Sequence, residues 1–253
     1  MKLVFRILIV FVLSFNINAR EQGETEITTE DGIEVFQDKK YYLLKKNVKI
    51  ISDNFSLEAD DVKINFDKSL YDITELNAKG NVKFNSPEFE MRGIGQSLQF
   101  EVKIEKFKVE GQNSILITKD TEMYSDGFIE INNTNGDFKL YGPKSELNNE
   151  DILIKAYSIN GKFSNNNDQK DIILLNVNDE KIAYVKNNDN EMYAKKINYN
   201  KVSSFIELID EVLIIRNGEK ISGDYGTVDT KNNSYKIKSN NQKKVKVIIQ
   251  NNE

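Results

Sequence analysis

Apolar and polar residues alternate along most of this chain, a pattern typical of β-strands with one buried face and one face in water. In residues 98–104, for example, every second side chain is apolar. Clusters of Asn, Asp and Gly at 52–54, 133–136 and 217–218 interrupt the alternation, and such clusters favour tight turns. No stretch of helical length keeps an apolar spacing of three and four residues. We therefore predict an all-β chain of antiparallel meanders.

One module of strand, polar corner and strand returns at intervals of about 29 to 38 residues, a spacing typical of stacked repeats. Its clearest copy runs through 55–66, 71–73 and 78–84, and within 55–66 the apolar positions are odd-numbered before Asp60 and even-numbered after Asp61. A bend or bulge there must return the same face to the interior. Such bends would fold long strands across an elongated sheet, and the ordinary bulges of a β-sandwich would give the same pattern. Looser copies begin near Gly93, Ser125, Ala156, Ala194 and Gly223.

Two stretches, 172–175 and 205–215, are apolar on both faces. They suit central strands that are covered on both sides. They also suit a surface that binds a lipid or another copy of the chain.

Residues 1–19 have the features of an export signal. Lys2 and Arg6 precede an apolar run at 7–15, and Ala19 supplies a small residue at a cleavage point. The run is shorter than the roughly 20 apolar residues of a membrane-spanning helix. We predict a signal peptide at 1–19 that is cleaved on export, with a retained membrane anchor as the alternative.

The composition removes several classes of function. The chain has no Cys and no His, so it lacks disulfides, the commonest metal ligand and the commonest general base. Its net charge of -5 leaves no basic footprint for nucleic acid. Paired acids such as Asp60-Asp61 and Asp210-Glu211 fall at predicted bends, where solvated turn carboxylates are expected. We predict no enzyme activity, no metal and no cofactor.

Short motifs at both ends of the chain resemble the OstA-like family, which includes LptA, and the resemblance extends over residues 28–240. Each motif is short, and their order and spacing carry the match. The motif segments are Gly32–Val35, Leu43–Ile50, Leu57–Asp60, Asn77–Phe84, Ile221–Asp229 and Tyr235–Ile237.

The resemblance implies an elongated, open antiparallel β-jelly roll, a folded sheet with an apolar groove. The implied function is that of a non-enzymatic periplasmic protein that bridges the inner and outer membranes in lipopolysaccharide transport. Its groove would shield the acyl chains of lipid A, and each chain of about a dozen carbons would cost roughly 10 kcal/mol to expose. The implied partners are an inner-membrane OstA-like component and an outer-membrane translocon, docked at open strand edges. Head-to-tail homo-oligomers are expected through the same edges.

Two alternatives remain open at this stage. A membrane-anchored OstA-like component that feeds the bridge would keep residues 1–19. A structural or adhesive β-repeat protein would have the same strands around a filled core.

We predict an OstA-like domain at 28–240, as one unit or as two tandem halves that meet near 121–145, followed by a polar tail at 241–253. The middle of the chain, 122–190, matches the family only in outline and is a second copy of the domain or an insertion. Apolar residues of inward parity are the candidate lipid-groove residues, and a packed core would use the same positions. They are Val48, Ile50, Phe55, Leu57, Val62, Ile64, Phe66, Val82, Phe84, Leu98, Phe100, Phe107 and Val109.

Overall fold

A computed structural model describes residues 22–150, 152–164, 171–187, 190–240 and 244–249. The predicted signal peptide at 1–19 lies outside the described residues. Nearly all regular structure is antiparallel β-strand, apart from two single-turn 3₁₀ segments at Gln37–Lys39 and Val102–Ile104. The all-β prediction is confirmed, and in the described part of the chain no helix is long and apolar enough to cross a membrane.

The strands follow one another along the chain as a meander. They are β1 (Glu26–Thr28), β2 (Ile33–Phe36), β3 (Tyr41–Ile51), β4 (Ser56–Phe66), β5 (Ile73–Ser86), β6 (Met91–Glu101), β7 (Lys106–Glu110), β8 (Ser114–Ile117), β9 (Thr121–Ser125), β10 (Phe128–Asn132), β11 (Asp137–Asn149), β12 (Ile152–Phe163), β13 (Ile172–Asn187), β14 (Asn190–Asn200), β15 (Phe205–Arg216), β16 (Glu219–Asp229), β17 (Ser234–Lys238) and β18 (Lys246–Ile248).

Each long strand is broken near its middle by a shift in register. In the β3–β4 pair the shift falls between Lys45 and Val48, and in β4–β5 it falls between Glu58 and Asp61. The same shift recurs in the pairs from β11 to β16. In the middle of the ladder a turn replaces it: β7 and β8 are separated at 111–113, and β9 and β10 at 126–127. The bend predicted at Asp60-Asp61 is therefore confirmed.

These breaks line up as a fold line that divides the meander into two layers. Layer A contains β2, β7, β10, β17 and the halves of the long strands that pair with them, such as 41–45 of β3 and 97–101 of β6. Layer B contains β1, β8, β9, β18 and the other halves. Burial alternates along the strands of both layers, with one face buried and one in solvent. Because a single sheet could not bury either face, the inner faces of the two layers must pack on each other.

The inside corner of the fold line takes small side chains on every second strand. Ala59, Ser125 and Ala194 occupy this position in their strands, and each precedes the residue at which the strand bends. At the Asp60 corner the opposite strand supplies Gly80 with a φ of +75°, where a Cβ atom would meet the Asp60 carboxylate. Glycine is favoured there, because it adopts this φ without strain.

Both ends of the ladder remain open among the described residues: β1 and β2 form one end and β17 and β18 the other. Pairing continues without a break through 121–145, the region at which two halves could meet. Within the segment predicted as a polar tail, Lys246–Ile248 forms β18 and pairs with residues 220–222 of β16.

The two stretches that are apolar on both faces lie in central strands but are covered on one side. Ile206, Leu208 and Ile214 of β15 point into the interior, whereas Phe205 is exposed on the outer face. Leu174 of β13 is likewise exposed. The expectation of cover on both sides is wrong, because the fold has two layers and their outer faces meet solvent.

Candidate functional site

The predicted groove residues lie on the inner faces of both layers. Val62, Ile64, Phe66, Leu98, Phe100, Phe107 and Val109 belong to layer A, and Val48, Ile50, Leu57, Val82 and Phe84 belong to layer B. Phe55 sits in the turn between β3 and β4. All are buried except Phe55 and Phe100, which are half-buried and pack against the same core.

The interior extends well beyond these positions. In layer B, Met123, Leu147, Ile154, Met192 and Ile214 continue the buried row from β9 to β15. All belong to one contiguous apolar cluster with the groove candidates. The same period-two alternation marks these positions in the sequence.

The interior carries no charged side chain among the described residues. The buried polar groups are Ser, Thr and Asn side chains of layer B or of its turns, whereas the inner face of layer A is lined by apolar and aromatic groups. Among the described residues of layer A, Tyr42 is buried and has an ionisable hydroxyl, and burial raises the pKa of that hydroxyl. Within the described ranges no group of His, Cys, Asp or Glu is arranged to hold a metal ion.

Opposite the fold line the two layers meet along a seam, where the strands end in two rows of hairpin turns. Row A, at the edge of layer A, includes the turns 37–40, 67–72, 102–105, 201–204 and 230–233. Row B, at the edge of layer B, includes 52–55, 87–90, 118–120 and 217–218. At the fold line the two layers are joined by the backbone of continuous strands. Across the seam they are joined by side-chain contacts.

Aromatic side chains close the seam in the part of the ladder from β3 to β7. Phe89 in row B makes edge-to-face contacts with Phe107 at 5.4 Å and Phe100 at 6.2 Å, both in layer A. Phe55, also in row B, reaches Phe100 at 6.2 Å, and Phe84 stacks on Phe107 at 5.8 Å between the layers. Ring pairs at such distances stabilise the contact beyond the area that they bury.

Polar side chains close the seam near β17. The guanidinium of Arg216, at the row B end of β15, donates a hydrogen bond of 2.8 Å to the backbone carbonyl of Asn233 in row A. The amide of Asn190, buried at the start of β14, donates to the Asn233 side chain at 3.4 Å. Neither the aromatic closure nor this polar closure was predicted, because each joins residues that are distant in the ladder.

Among the carboxylates of the described residues, the one with the largest pKa shift lies on the outer surface of the fold line. The backbone amide of Asn113 donates to Asp126 at 3.0 Å, and Lys144 and Tyr124 contact the same carboxylate at 2.9 Å. Together these contacts, led by the Asn113 amide, lower the pKa of Asp126 to about 2. Asp126 has three structural partners at a bend, and Asp60 accepts a hydrogen bond from the Asn81 amide at 3.0 Å, so these corner carboxylates fasten the fold line.

Comparisons with known proteins leave the family unassigned. No protein-family model matches the chain, and no curated protein matches it. Among solved structures, it is similar to LptH from Pseudomonas aeruginosa, described as the LptA homologous periplasmic component of the conserved lipopolysaccharide transport device. The alignment covers 92% of this chain and 98% of that one at 11% identity and a TM-score of 0.23. At that score the similarity does not assign a function to this chain.

Proposed function

We propose that this chain is a non-enzymatic periplasmic carrier that holds the acyl chains of lipopolysaccharide between its two layers and bridges the inner and outer membranes. The observation that carries the proposal is the interior itself. It is one apolar cluster that follows the ladder from β3 to β16, it contains no charge among the described residues, and one long side is closed by side chains.

An acyl chain could enter this interior without a large net loss of apolar burial. Opening the seam separates Phe89 from Phe107 and exposes apolar surface, at a cost of about 25 cal/mol for each Å². An inserted chain covers that surface again and gains about 0.8 kcal/mol for each of its own CH₂ groups. The backbone ladder of both layers stays intact throughout.

The edges of layer A and layer B at the seam differ in a way that suits an amphipathic lipid. Layer A brings aromatic rings to the seam, among them Phe66, Phe100 and Phe107. The rim of layer B also carries aromatic rings, Phe55 and Phe89, but it adds hydroxyl and amide groups, including Thr121 and Asn190. Acyl chains would pack against layer A, and a polar headgroup would find hydrogen-bonding partners at layer B.

Docking at strand edges is the second part of the proposal. At one end, Val35 of β2 has inward parity yet is 45% exposed, and at the other end Val247 of β18 is 52% exposed. Open edges with apolar side chains favour strand addition. The inner-membrane OstA-like component and the outer-membrane translocon are the proposed partners, and head-to-tail homo-oligomers would use the same edges.

A structural or adhesive β-repeat protein is the second candidate, because the interior is filled by the chain's own side chains. A photoreactive residue at Phe66, Phe84 or Phe100 separates the two functions. The carrier should crosslink to lipopolysaccharide from these sites and not from matched outward sites at Lys63, Lys83 and Gln99. Equal labelling of both faces, or no labelling of either, would favour the structural function.

A further inference from the structure

The two rows of turns differ in their exposed apolar side chains. In row A, Tyr71 is 93% exposed and Val202 is 89% exposed at the tips of their turns. Leu70, Val102 and Ile104 of the same row are also exposed. In the described turns of row B no large hydrophobic side chain is exposed, because Phe55 and Phe89 turn inward and pack on the core.

The same two rows differ in charge. Each apolar tip of row A has a lysine beside it: Lys68 before Leu70, Lys103 between Val102 and Ile104, and Lys201 before Val202. In the described part of the chain the ammonium groups of Lys68 and Lys103 form no ion pair, whereas Lys201 pairs with Asp171 at 3.0 Å. Row B is the more acidic at its described turns and adjoining ends, with Asp53, Glu88, Glu90, Asp120 and Glu150 against Lys119 and Arg216, whereas the row A turn that carries Tyr71 holds Asp67 and Asp72 beside Lys68.

Tips with an apolar side chain and a neighbouring lysine have the chemistry of the membrane interface. Aliphatic and tyrosine side chains enter the boundary between headgroups and acyl chains, and lysines remain level with anionic headgroups. These tips follow one edge of layer A: Leu70, Tyr71, Val102 and Ile104 lie on adjacent hairpins, and Val202 lies three hairpins farther along. A row of acidic turns beside them would be repelled from the same surface, which fixes the orientation of the edge.

We propose that row A is a membrane-docking edge that rests on a bilayer with anionic headgroups, anchored by Tyr71 and Val202 and assisted by Lys68 and Lys103. Docking in this orientation brings the seam to the bilayer surface. The proposal depends on the turn tips and does not require the interior to hold an acyl chain.

Flotation with lipid vesicles tests the proposal. The protein is prepared with Arg20 as its first residue, which retains every strand from β1 to β18 and removes the apolar run at 7–15. It should float with vesicles of phosphatidylcholine and phosphatidylglycerol, and far less with vesicles of phosphatidylcholine alone. The double variant Tyr71→Asp, Val202→Asp should lower vesicle partitioning about tenfold or more, since each tip loses an interfacial apolar contact.

The matched control is the double variant Ile94→Asp, Ile182→Asp. These side chains are 46% and 50% exposed on the outer surface away from row A, so this control should float as the native protein does. The same urea midpoint for all three proteins would verify that the fold is retained. The proposal is overturned if the native protein does not float with the anionic vesicles, if both vesicle types bind it equally, or if both double variants behave alike. Crosslinking to lipopolysaccharide from the interior is independent of every one of these outcomes.

Discussion

The seam offers the sharpest test of how the interior is reached, through the substitution Phe89→Ala. Phe89 lies in the row B turn 87–90 and contacts Phe100 and Phe107 of layer A across the seam. Removing its ring deletes both contacts and leaves the strand pairing of β5 with β6 unchanged, since the turn flanks that pairing.

The expected cost in stability follows from these contacts. Burial of about half of a phenylalanine side chain is worth ~1 kcal/mol, and each edge-to-face pair adds ~0.5 to 1.5 kcal/mol. Phe89→Ala should therefore lower the free energy of unfolding by ~2 to 4 kcal/mol. Urea denaturation measures this change directly.

The matched control is Phe128→Ala. Phe128 is half-buried on the outer face of layer A, where it stacks on Tyr141 at 5.5 Å and lies 4.8 Å from the Lys108 ammonium. Its loss should be destabilising to a similar extent but leaves the seam closed. In stopped-flow uptake of a fluorescent fatty acid, Phe89→Ala should accelerate entry and Phe128→Ala should not. Equal rates for the two variants would refute entry through the seam.

Two further predictions concern the edges and the fold line. Deleting 241–253 removes β18 and uncovers residues 220–222 of β16, so light scattering should detect stronger self-association. Val35→Pro at the opposite edge should weaken self-association with the fold retained. A protein that stays monomeric at every concentration in both cases would contradict edge docking. Because the pKa of Asp126 is lowered from 3.8 to about 2 in the folded state, its stabilisation should be complete above about pH 4 and lost as the pH falls through about 2. The difference in urea stability between the native protein and Asp126→Asn should shrink over that window, and a difference that does not vary with pH would contradict the hydrogen-bonded corner.

Local rules predicted the strands and their bends, and they failed at contacts between distant strands. The parity change around Asp60 was readable because side chains alternate strictly between the two faces of a strand. The contact of Phe89 with Phe107 was not readable, because it depends on which turns fall in row A and which in row B. For the turns beyond Phe107, the assignment also depends on the breaks at 111–113 and 126–127, each of which divides one bent strand into two segments.

The predicted groove list stopped at Val109 for a related reason. Residues 122–190 match the family motifs only in outline, yet alternation alone marks Ile129 and Leu140 there, and both are buried in the same core. The exposed tips Tyr71 and Val202 carry no pattern that distinguishes them from ordinary turn residues. Only in the folded molecule do Tyr71 and Val202 lie along the same edge of layer A.

Small side chains occupy the inside corner of the fold line on every second strand, so the unit from which this molecule is built is a pair of strands. Removing a single strand would reverse the direction of every later strand and exchange row A with row B beyond that point. Removing or duplicating two strands would preserve the fold line, the seam and both ends, and would change the length by about 10 Å. Evolution can therefore adjust the reach of such a protein in steps of one repeat, with no new interface to invent at each step.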